Sequence, residues 1–193
     1  KVKLKENTFV KKNTPYGSEE KIEIKKIKKQ PTEKKQYSVK DYVVYPKHGV
    51  GKITAIEKAS IGQIEIQFYK IFIEKEKLTL TVPINQQFNL RPISSINQIN
   101  KCISILKTKP KIKRTMWSRR AQEYDSKIFS GDPIKIAEVV RDLFRKNSQP
   151  EQSYSERQMF QVALERLARE VAAVEKTDYF QATEKIESTL YRK

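Results

Sequence analysis

The sequence holds little of the material from which catalytic and metal sites are built. Its 193 residues contain one histidine, one cysteine and five glycines. A single cysteine excludes an internal disulfide and fits a reducing compartment. Zinc sites need clustered Cys and His ligands, and no G-x-x-x-x-G-K-[ST] loop is present to hold phosphates. We therefore expect a protein that is not an enzyme and that carries neither a metal nor a cofactor.

The lone histidine and the lone cysteine each have a plain interpretation. His48 lies in a turn between a lysine and a glycine, with no partner that the sequence supplies, so it is predicted to be solvated. Cys102 falls on an apolar helical stripe with Ile99, Ile103 and Leu106, so it is predicted to be a buried structural thiol.

Long hydrophobic runs are also missing. No apolar stretch approaches the ~20 residues of a membrane-spanning helix, and the N-terminus has no signal-peptide core. A membrane-surface protein would need an amphipathic helix with a basic polar face and an apolar Trp or Phe face, which is not found. We expect a soluble cytoplasmic protein with no membrane partner.

Acidic residues are too few to balance the basic ones. The chain has 40 Lys and Arg against 23 Asp and Glu, a net charge of +17. Between Glu76 and Glu123 there is no carboxylate at all, so the positive charge of this window is unopposed along the sequence. Such a field attracts a polyanion and speeds encounter with it. The basic residues of the window are Lys77, Arg91, Lys101, Lys107, Lys109, Lys111, Lys113, Arg114, Arg119 and Arg120.

Trp117, the only tryptophan, lies near the C-terminal end of this window and admits two interpretations. A lone tryptophan in a globular chain is most often a core residue. Here four basic residues lie within four positions, which is unusual beside a fully buried ring. In the second interpretation the cations contact phosphates, and the indole stacks on a base or enters between base steps. The four are Lys113, Arg114, Arg119 and Arg120.

The N-terminal half divides into a tail and a β unit. Residues 1–36 are rich in lysine and poor in large apolar residues, so we predict a disordered tail, either a solvated arm or a phosphate contact. Residues 37–92 show alternating runs of Val, Ile, Tyr, Phe and Thr broken by turn residues. This pattern favours a small antiparallel barrel of the Tudor or SH3 kind. The predicted strands are Tyr42–Tyr45, Gly51–Glu57, Gln63–Phe72 and Leu78–Val82.

The C-terminal half has helical periodicity. A helix and basic linker occupy residues 93–115, and residues 116–193 form a predicted all-α bundle, giving a multidomain α+β chain. Gly131-Asp132-Pro133 reads as the end of one helix and the capped start of the next. Ser153 to Glu156 has the spacing of a capping box that opens a long helix. The predicted packing residues include Ile96, Phe129 and Phe180.

Arg157 is a further phosphate candidate. It stands early in the predicted long helix, and helix N-termini favour anions because their backbone N–H groups are unpaired.

Three segments together resemble one family. They are VVYPKHGVGKITAIE (43–57), KLTLTVP (77–83) and MWSRRAQEYDSKIFSGDPIKIAEVVRDLFRK (116–146). Over about residues 37–190 the chain is similar to the CarD/CdnL family of bacterial transcription regulators. The resemblance implies a Tudor-like domain, shared with the transcription-repair coupling factor, that binds the β subunit of RNA polymerase. It also implies a helical domain that contacts promoter DNA at the upstream edge of the transcription bubble.

The resemblance implies a role for particular residues. Trp117 would enter the minor groove at the upstream fork and hinder collapse of the bubble, where bases are already partly unstacked. Arg119 and Arg157 would hold the DNA backbone. The chain would act as a monomer in the cytoplasm, at the nucleoid through RNA polymerase.

Three positions depart from the family pattern. Basic residues that contact polymerase in some members stand here as Ala59 and Thr81, and a basic residue on the DNA side stands as Gln122. Polymerase binding is therefore expected either to be weaker or to rely on pairing with an exposed strand edge. The strand in question comprises Leu78, Thr79, Leu80, Thr81 and Val82.

The charge, the motifs and the resemblance leave two functions open. The first is a regulator that bridges RNA polymerase and promoter DNA and stabilises the open complex. The second is a polymerase-independent, nucleoid-type or RNA-binding protein that uses the lysine-rich tail and the basic linker. Removal of the tail separates them, because only the second function depends on it.

Overall fold

The computed structural model describes residues 34–61, 64–112, 114–145 and 152–191. Most of the predicted tail and Lys113 lie outside the described residues. The last residues of the predicted tail are described and are bound to the β unit. The backbone N–H of Gln36 donates to Gln87 Oε1 (3.2 Å), and Gln87 Nε2 donates to the carbonyl of Lys34 (3.0 Å).

The β unit is a five-stranded antiparallel sheet with the strand order β4-β3-β2-β1-β5. The prediction of an antiparallel sheet followed by helices is confirmed. Closure into a barrel is not shown, because among the described residues the sheet ends at β4 on one side and at β5 on the other. A 3₁₀ helix, Ile84–Asn89, joins those two outer strands. The strands are β1 (Tyr42–Tyr45), β2 (Gly49–Ile61), β3 (Ile64–Ile73), β4 (Leu78–Pro83) and β5 (Arg91–Pro92).

Close packing inside the sheet explains why position 51 is a glycine. Gly51 on β2 pairs with Val43 on β1. A Cβ atom at Gly51 would lie 2.5 Å from Cγ2 of Ile71, closer than real side chains approach. Around this point the buried side chains form the core of the β unit, and burial of this apolar area stabilises it at roughly 25 cal/mol per Å². That core consists of Val43, Ile53, Tyr69, Ile71, Val82, Ile84 and Leu90.

Five helices follow in the described chain, and three of them have a side-chain cap at the N-terminus, including the predicted caps at Asp132 and Ser153. Ser95 and Ser153 each form a complete capping box, with Gln98 and Glu156 respectively. Asp132 accepts a hydrogen bond from the N–H of Ile134 with Pro133 in the first turn. The helices are α1 (Ile96–Leu106), α2 (Trp117–Phe129), α3 (Pro133–Leu143), α4 (Tyr154–Glu175) and α5 (Tyr179–Tyr191).

The helices share a core of 18 buried residues, to which every helix contributes. Cys102 is fully buried there, as predicted, and burial raises the pKa of its thiol to about 12. Three predicted packing residues are instead exposed: Ile96 at 62%, Phe129 at 50% and Phe180 at 76%. Each lies at an end of its helix, where helical periodicity continues but neighbouring elements cover the side chain at most in part.

No helix within the described parts of the chain is long and apolar enough to cross a membrane. The same residues contain no group of three or more His, Cys, Asp and Glu side chains placed to hold a metal ion.

Candidate nucleic-acid interface

Trp117 is the first residue of α2, at an end of the helix that has no side-chain cap. Met116, in the N-cap position, is 77% exposed, whereas Trp117 is partly buried against the helical core. The first N–H groups of a helix lack intrahelical acceptors and favour anions. The indole therefore stands at a helix end that suits a phosphate, with part of its surface open to solvent.

Two side chains of the same helix hold the indole in place. The ring of Tyr124, two turns on, lies 6.5 Å from that of Trp117 between centroids, tilted at 53°. The guanidinium of Arg120 lies 5.5 Å from the centroid of the indole, a cation–π contact. Trp117 thus matches neither interpretation fully, since one part of the ring packs on the helix and another remains accessible.

The described residues that are predicted to contact phosphates differ in whether they form an ion pair within the protein. Arg114, Arg119 and Arg157 are exposed. None of the three has an ion pair within the described chain. Arg120 differs, because its side chain is only 20% exposed and Nη2 lies 3.8 Å from Oε1 of Glu156. Arg120 is therefore placed to support Trp117 more directly than to reach DNA.

The contact between Arg120 and Glu156 also brings the two predicted DNA-binding segments together. Glu156 belongs to the first turn of α4, so this turn lies beside the first turn of α2. Arg157 follows Glu156 and is exposed at the same helix end. Trp117 and Arg157 thus share one end of the helical unit, as their assignment to one DNA surface requires.

The basic linker is held on α3 by a buried pair that sequence reasoning missed. Oδ1 of Asp142 accepts from Nε of Arg141 (2.8 Å) and from the backbone N–H of Lys111 (2.8 Å). Arg141 also donates to Oγ1 of Thr108 (3.0 Å). The side chains of Lys107, Lys109 and Lys111 remain exposed. The only signal in the sequence is an Arg-Asp pair inside an apolar helical stripe, and Arg and Asp are rarely buried unless they are paired.

In the folded protein, some basic residues of the acid-free window between Glu76 and Glu123 lie beside carboxylates from elsewhere in the chain. Arg91 donates to Oε1 of Glu170 (2.7 Å), and Arg120 faces Glu156, so α4 supplies carboxylates to two of the window's described cations. The remaining basic residues of the window are mainly those of the linker and of the first turn of α2. The described cations of the window without an ion pair include Arg114 and Arg119, which flank Trp117 in the sequence.

The sheet–helix junction, formed by Arg91, Ser94, Arg166 and Glu170, fixes the β unit against α4. Glu170 is 2% exposed and accepts from Arg91, from the N–H of Ser94 (3.3 Å) and from Oγ of Ser94 (2.6 Å). Arg166, one turn earlier, donates to the carbonyls of Pro46 (2.7 Å) and Ile128 (3.2 Å). Burial lowers the pKa of Arg166. Charged residues on a helix are seldom fully buried unless they are paired, and Glu170 is buried because it has these partners.

A second contact across the junction involves Glu165, which binds Lys75 (2.7 Å) and Arg169 (3.1 Å). Burial acts to raise the pKa of Glu165, but the bonds from the two cations outweigh it, and the pKa lies below its usual value.

The prediction for His48 is wrong in one respect. The histidine has a partner, since Nδ1 lies 2.7 Å from Oε2 of Glu76.

The predicted polymerase-binding strand is an outer strand of the sheet. β4 pairs only with β3 in the described chain, so its other edge is free for pairing. Its side chains alternate in burial: Leu78, Thr79 and Thr81 are exposed, Leu80 is partly buried and Val82 is buried. The free edge is compatible with addition of a strand from another protein.

Comparison with known proteins agrees with these features. Residues 37–94 match the CarD-like/TRCF RID domain, and residues 101–187 match the C-terminal domain of CarD. The chain is also 29% identical over 140 residues to a Bacillus subtilis (strain 168) protein named "Putative transcription factor YdeB", covering 72% of this chain and 92% of that relative. An antiparallel sheet of the RID type joined to a CarD-type helical unit defines a transcription regulator. The chain belongs to the CarD/CdnL family.

Proposed function

We propose that the protein binds the β subunit of RNA polymerase through β4 and promoter DNA through Trp117, and so stabilises the open complex. The observation that carries the proposal is the placement of Trp117. A partly exposed indole, held by Tyr124 and Arg120, stands at an uncapped helix end among free arginines. The match to the RID domain supports the polymerase contact.

The bubble edge suits such an indole. Insertion of a side chain between base steps costs a few kcal/mol of unstacking, and this cost is lower where the duplex is already open at a fork. Stacking of an aromatic ring on a base contributes about 1–3 kcal/mol. An indole in the minor groove at the fork would have to leave before the strands reanneal, so it slows collapse of the bubble.

The exposed arginines have a separate task. Arg114, Arg119 and Arg157 would contact phosphates, which fixes the position of the protein without reading sequence. The same role is proposed for Lys113, whose position lies outside the described residues. Arg120 would contribute through its contact with Trp117.

Loss of one phosphate contact is expected to reduce the salt dependence of DNA binding. For Arg119→Gln or Arg157→Gln, the slope of log K against log salt on a forked promoter fragment should fall by about 0.9, the value for one phosphate. Affinity should fall on all sequences alike. Lys101→Gln, an exposed change in the middle of α1, is the control. Equal slopes for Arg119→Gln and Lys101→Gln would contradict the assignment of Arg119.

The polymerase contact is tested on the exposed side chains of β4. The double change Thr79→Glu and Thr81→Glu is expected to weaken binding to the polymerase β subunit at least tenfold, because an added strand would bring neighbouring side chains against the two carboxylates. Surface plasmon resonance on immobilised polymerase measures this. Asn97→Glu, on the exposed first turn of α1, should leave binding unchanged. Wild-type affinity of the β4 variant would place the polymerase contact elsewhere.

The alternative, a polymerase-independent nucleic-acid-binding protein, is favoured by one observation: residues 1–36 contain 12 lysines and only 5 acidic residues. Deletion of residues 1–33 separates the two functions and keeps the hydrogen bonds of Lys34 and Gln36. The bridging function predicts an unchanged open-complex lifetime for this variant. Loss of the lifetime effect together with non-specific DNA binding would favour the alternative.

A further inference from the structure

A groove lies between the sheet and the turn that joins α4 to α5. Its volume is about 1000 Å³, at the upper end of the ~300–1,000 Å³ of typical ligand clefts. One wall is a cross-strand row, in which Tyr42 pairs with Lys52 and Lys52 pairs with Phe72. The opposite wall includes Lys176 and Phe180. Neither the DNA surface nor the edge of β4 includes these residues.

Three aromatic rings line the groove and remain accessible: Tyr42 is 43% exposed, Phe72 is 37% exposed and Phe180 is 76% exposed. Phe180 is fixed at the start of α5, where its N–H donates to Oδ2 of Asp178 (3.2 Å). The ring of Tyr179 lies 5.6 Å from that of Phe180, in an edge-on arrangement. Exposed rings gathered at one groove are typical of an interaction site, which accounts for a phenylalanine that helical periodicity assigns to the core.

The groove also presents free positive charge. Lys52, Lys77 and Lys176 line it, and none has an ion pair in the described part of the chain. Lys75 and Arg169 line it too, but these two share Glu165. The acidic residues of the lining are Glu74 and Asp178, and Asp178 already accepts from Phe180. Lys52 Nζ lies 5.6 Å from the centroid of the Tyr42 ring, a cation–π contact that leaves its charge without a carboxylate. The lysines without an ion pair therefore outnumber the available carboxylates of the lining.

We propose that this groove binds an acidic peptide segment of a partner protein. An apolar or aromatic side chain of the peptide would lie among Tyr42, Phe72 and Phe180, while its carboxylates face Lys52, Lys77 and Lys176. A second copy of this chain is a poor occupant, because its net charge of +17 repels a basic groove. A peptide can place neutral residues beside Glu74 and Asp178, whereas a nucleic-acid strand carries a phosphate at every nucleotide and cannot avoid these two carboxylates.

The groove is remote from the proposed DNA contact. Lys176 follows the last turn of α4, whereas Glu156, which contacts Arg120, belongs to its first turn. About 20 residues separate them, or roughly 30 Å at the helical rise of ~1.5 Å per residue. Peptide binding in the groove and DNA binding at Trp117 can therefore fail independently of each other.

Fluorescence anisotropy with defined probes tests the proposal. The main probe is a fluorescein-labelled ten-residue peptide of Asp, Glu, Leu and Phe. One comparison peptide has Asp and Glu replaced by Asn and Gln, another has Leu and Phe replaced by Ser, and a third probe is a ten-nucleotide oligo-dT. We expect the full-length protein to bind the main probe at least fivefold more tightly than either comparison peptide.

Matched variants place the binding in the groove. Phe180→Ser and Lys176→Glu should each weaken binding of the main probe at least fivefold, with circular dichroism confirming that each is folded. Phe88→Ser, at a phenylalanine that is 77% exposed elsewhere, and Lys101→Glu should leave it unchanged, as should Trp117→Ala. Equal effects of Phe180→Ser and Phe88→Ser would overturn the proposal. It would also be overturned if oligo-dT bound more tightly than the peptide and lost affinity in the groove variants.

Discussion

Replacement of Trp117 by alanine is expected to abolish the lengthening of open-complex lifetime while leaving the protein folded. The indole is the group proposed to block reannealing, and its stacking contribution of about 1–3 kcal/mol corresponds to a fall in lifetime of roughly 5- to 150-fold at saturation. Dissociation of heparin-challenged promoter complexes, followed in time, measures it. The promoter chosen should form a short-lived open complex.

Stability must be measured on the same variant. Full truncation of a core tryptophan costs about 3–5 kcal/mol, but Trp117 is only partly buried, so we expect a loss of about 1–2 kcal/mol in the free energy of unfolding. Ile96→Ala removes an exposed apolar side chain on α1 and should change neither the open-complex lifetime nor the free energy of unfolding. An unfolded Trp117→Ala protein would show that Trp117 acts as a core residue. A folded variant with the full effect on open-complex lifetime would contradict the proposal that the indole blocks reannealing.

Replacement of Glu170 by alanine is expected to give the largest loss of stability among single changes at the sheet–helix junction. The change leaves the guanidinium of Arg91 and the N–H of Ser94 without their acceptor. Removal of one partner of a fully buried ion pair costs about 3–5 kcal/mol. Arg91 is 28% exposed and regains some hydration, so about 2–3 kcal/mol is expected for this pair. Urea unfolding measures the difference.

A control on the same helix separates this effect from a change in helix propensity. Glu175 pairs with Lys185, whose side chain is 46% exposed, so Glu175→Ala should cost less than about 1 kcal/mol. Glu170→Gln keeps an oxygen acceptor, so its loss in the free energy of unfolding should lie between those of Glu170→Ala and Glu175→Ala. Equal stability of the Glu170→Ala and Glu175→Ala proteins would show that the junction contributes little.

The local structure could be read from the sequence because its signals are local. The first strand begins and ends at the predicted residues, and the caps at Asp132 and Ser153 are formed by neighbouring residues. The short strand β5 and the 3₁₀ helix lack a periodic pattern and were not predicted. Periodicity also identifies the face of a helix without showing how far its neighbours extend, which is why Phe129 and Phe180 are exposed.

The candidate site was only partly predictable. Trp117 and the cations beside it are adjacent in sequence, so their association could be predicted. The carboxylates that engage Arg91 and Arg120 could not, because the bond from Arg91 to Glu170 joins positions 79 residues apart. The same holds for Glu76, which binds His48 from 28 residues away. Such pairs depend on how elements distant in the sequence pack together, which no local pattern encodes.

The most direct test of the central claim is to locate residue 117 on promoter DNA. A photoreactive benzoylphenylalanine at position 117 would be irradiated with promoter DNA, with and without RNA polymerase, and the crosslinked nucleotide mapped by primer extension. The bridging function predicts crosslinks at the upstream edge of the bubble that require both polymerase and an open complex. Crosslinks spread along duplex DNA in the absence of polymerase, or crosslinks to protein alone, would contradict it.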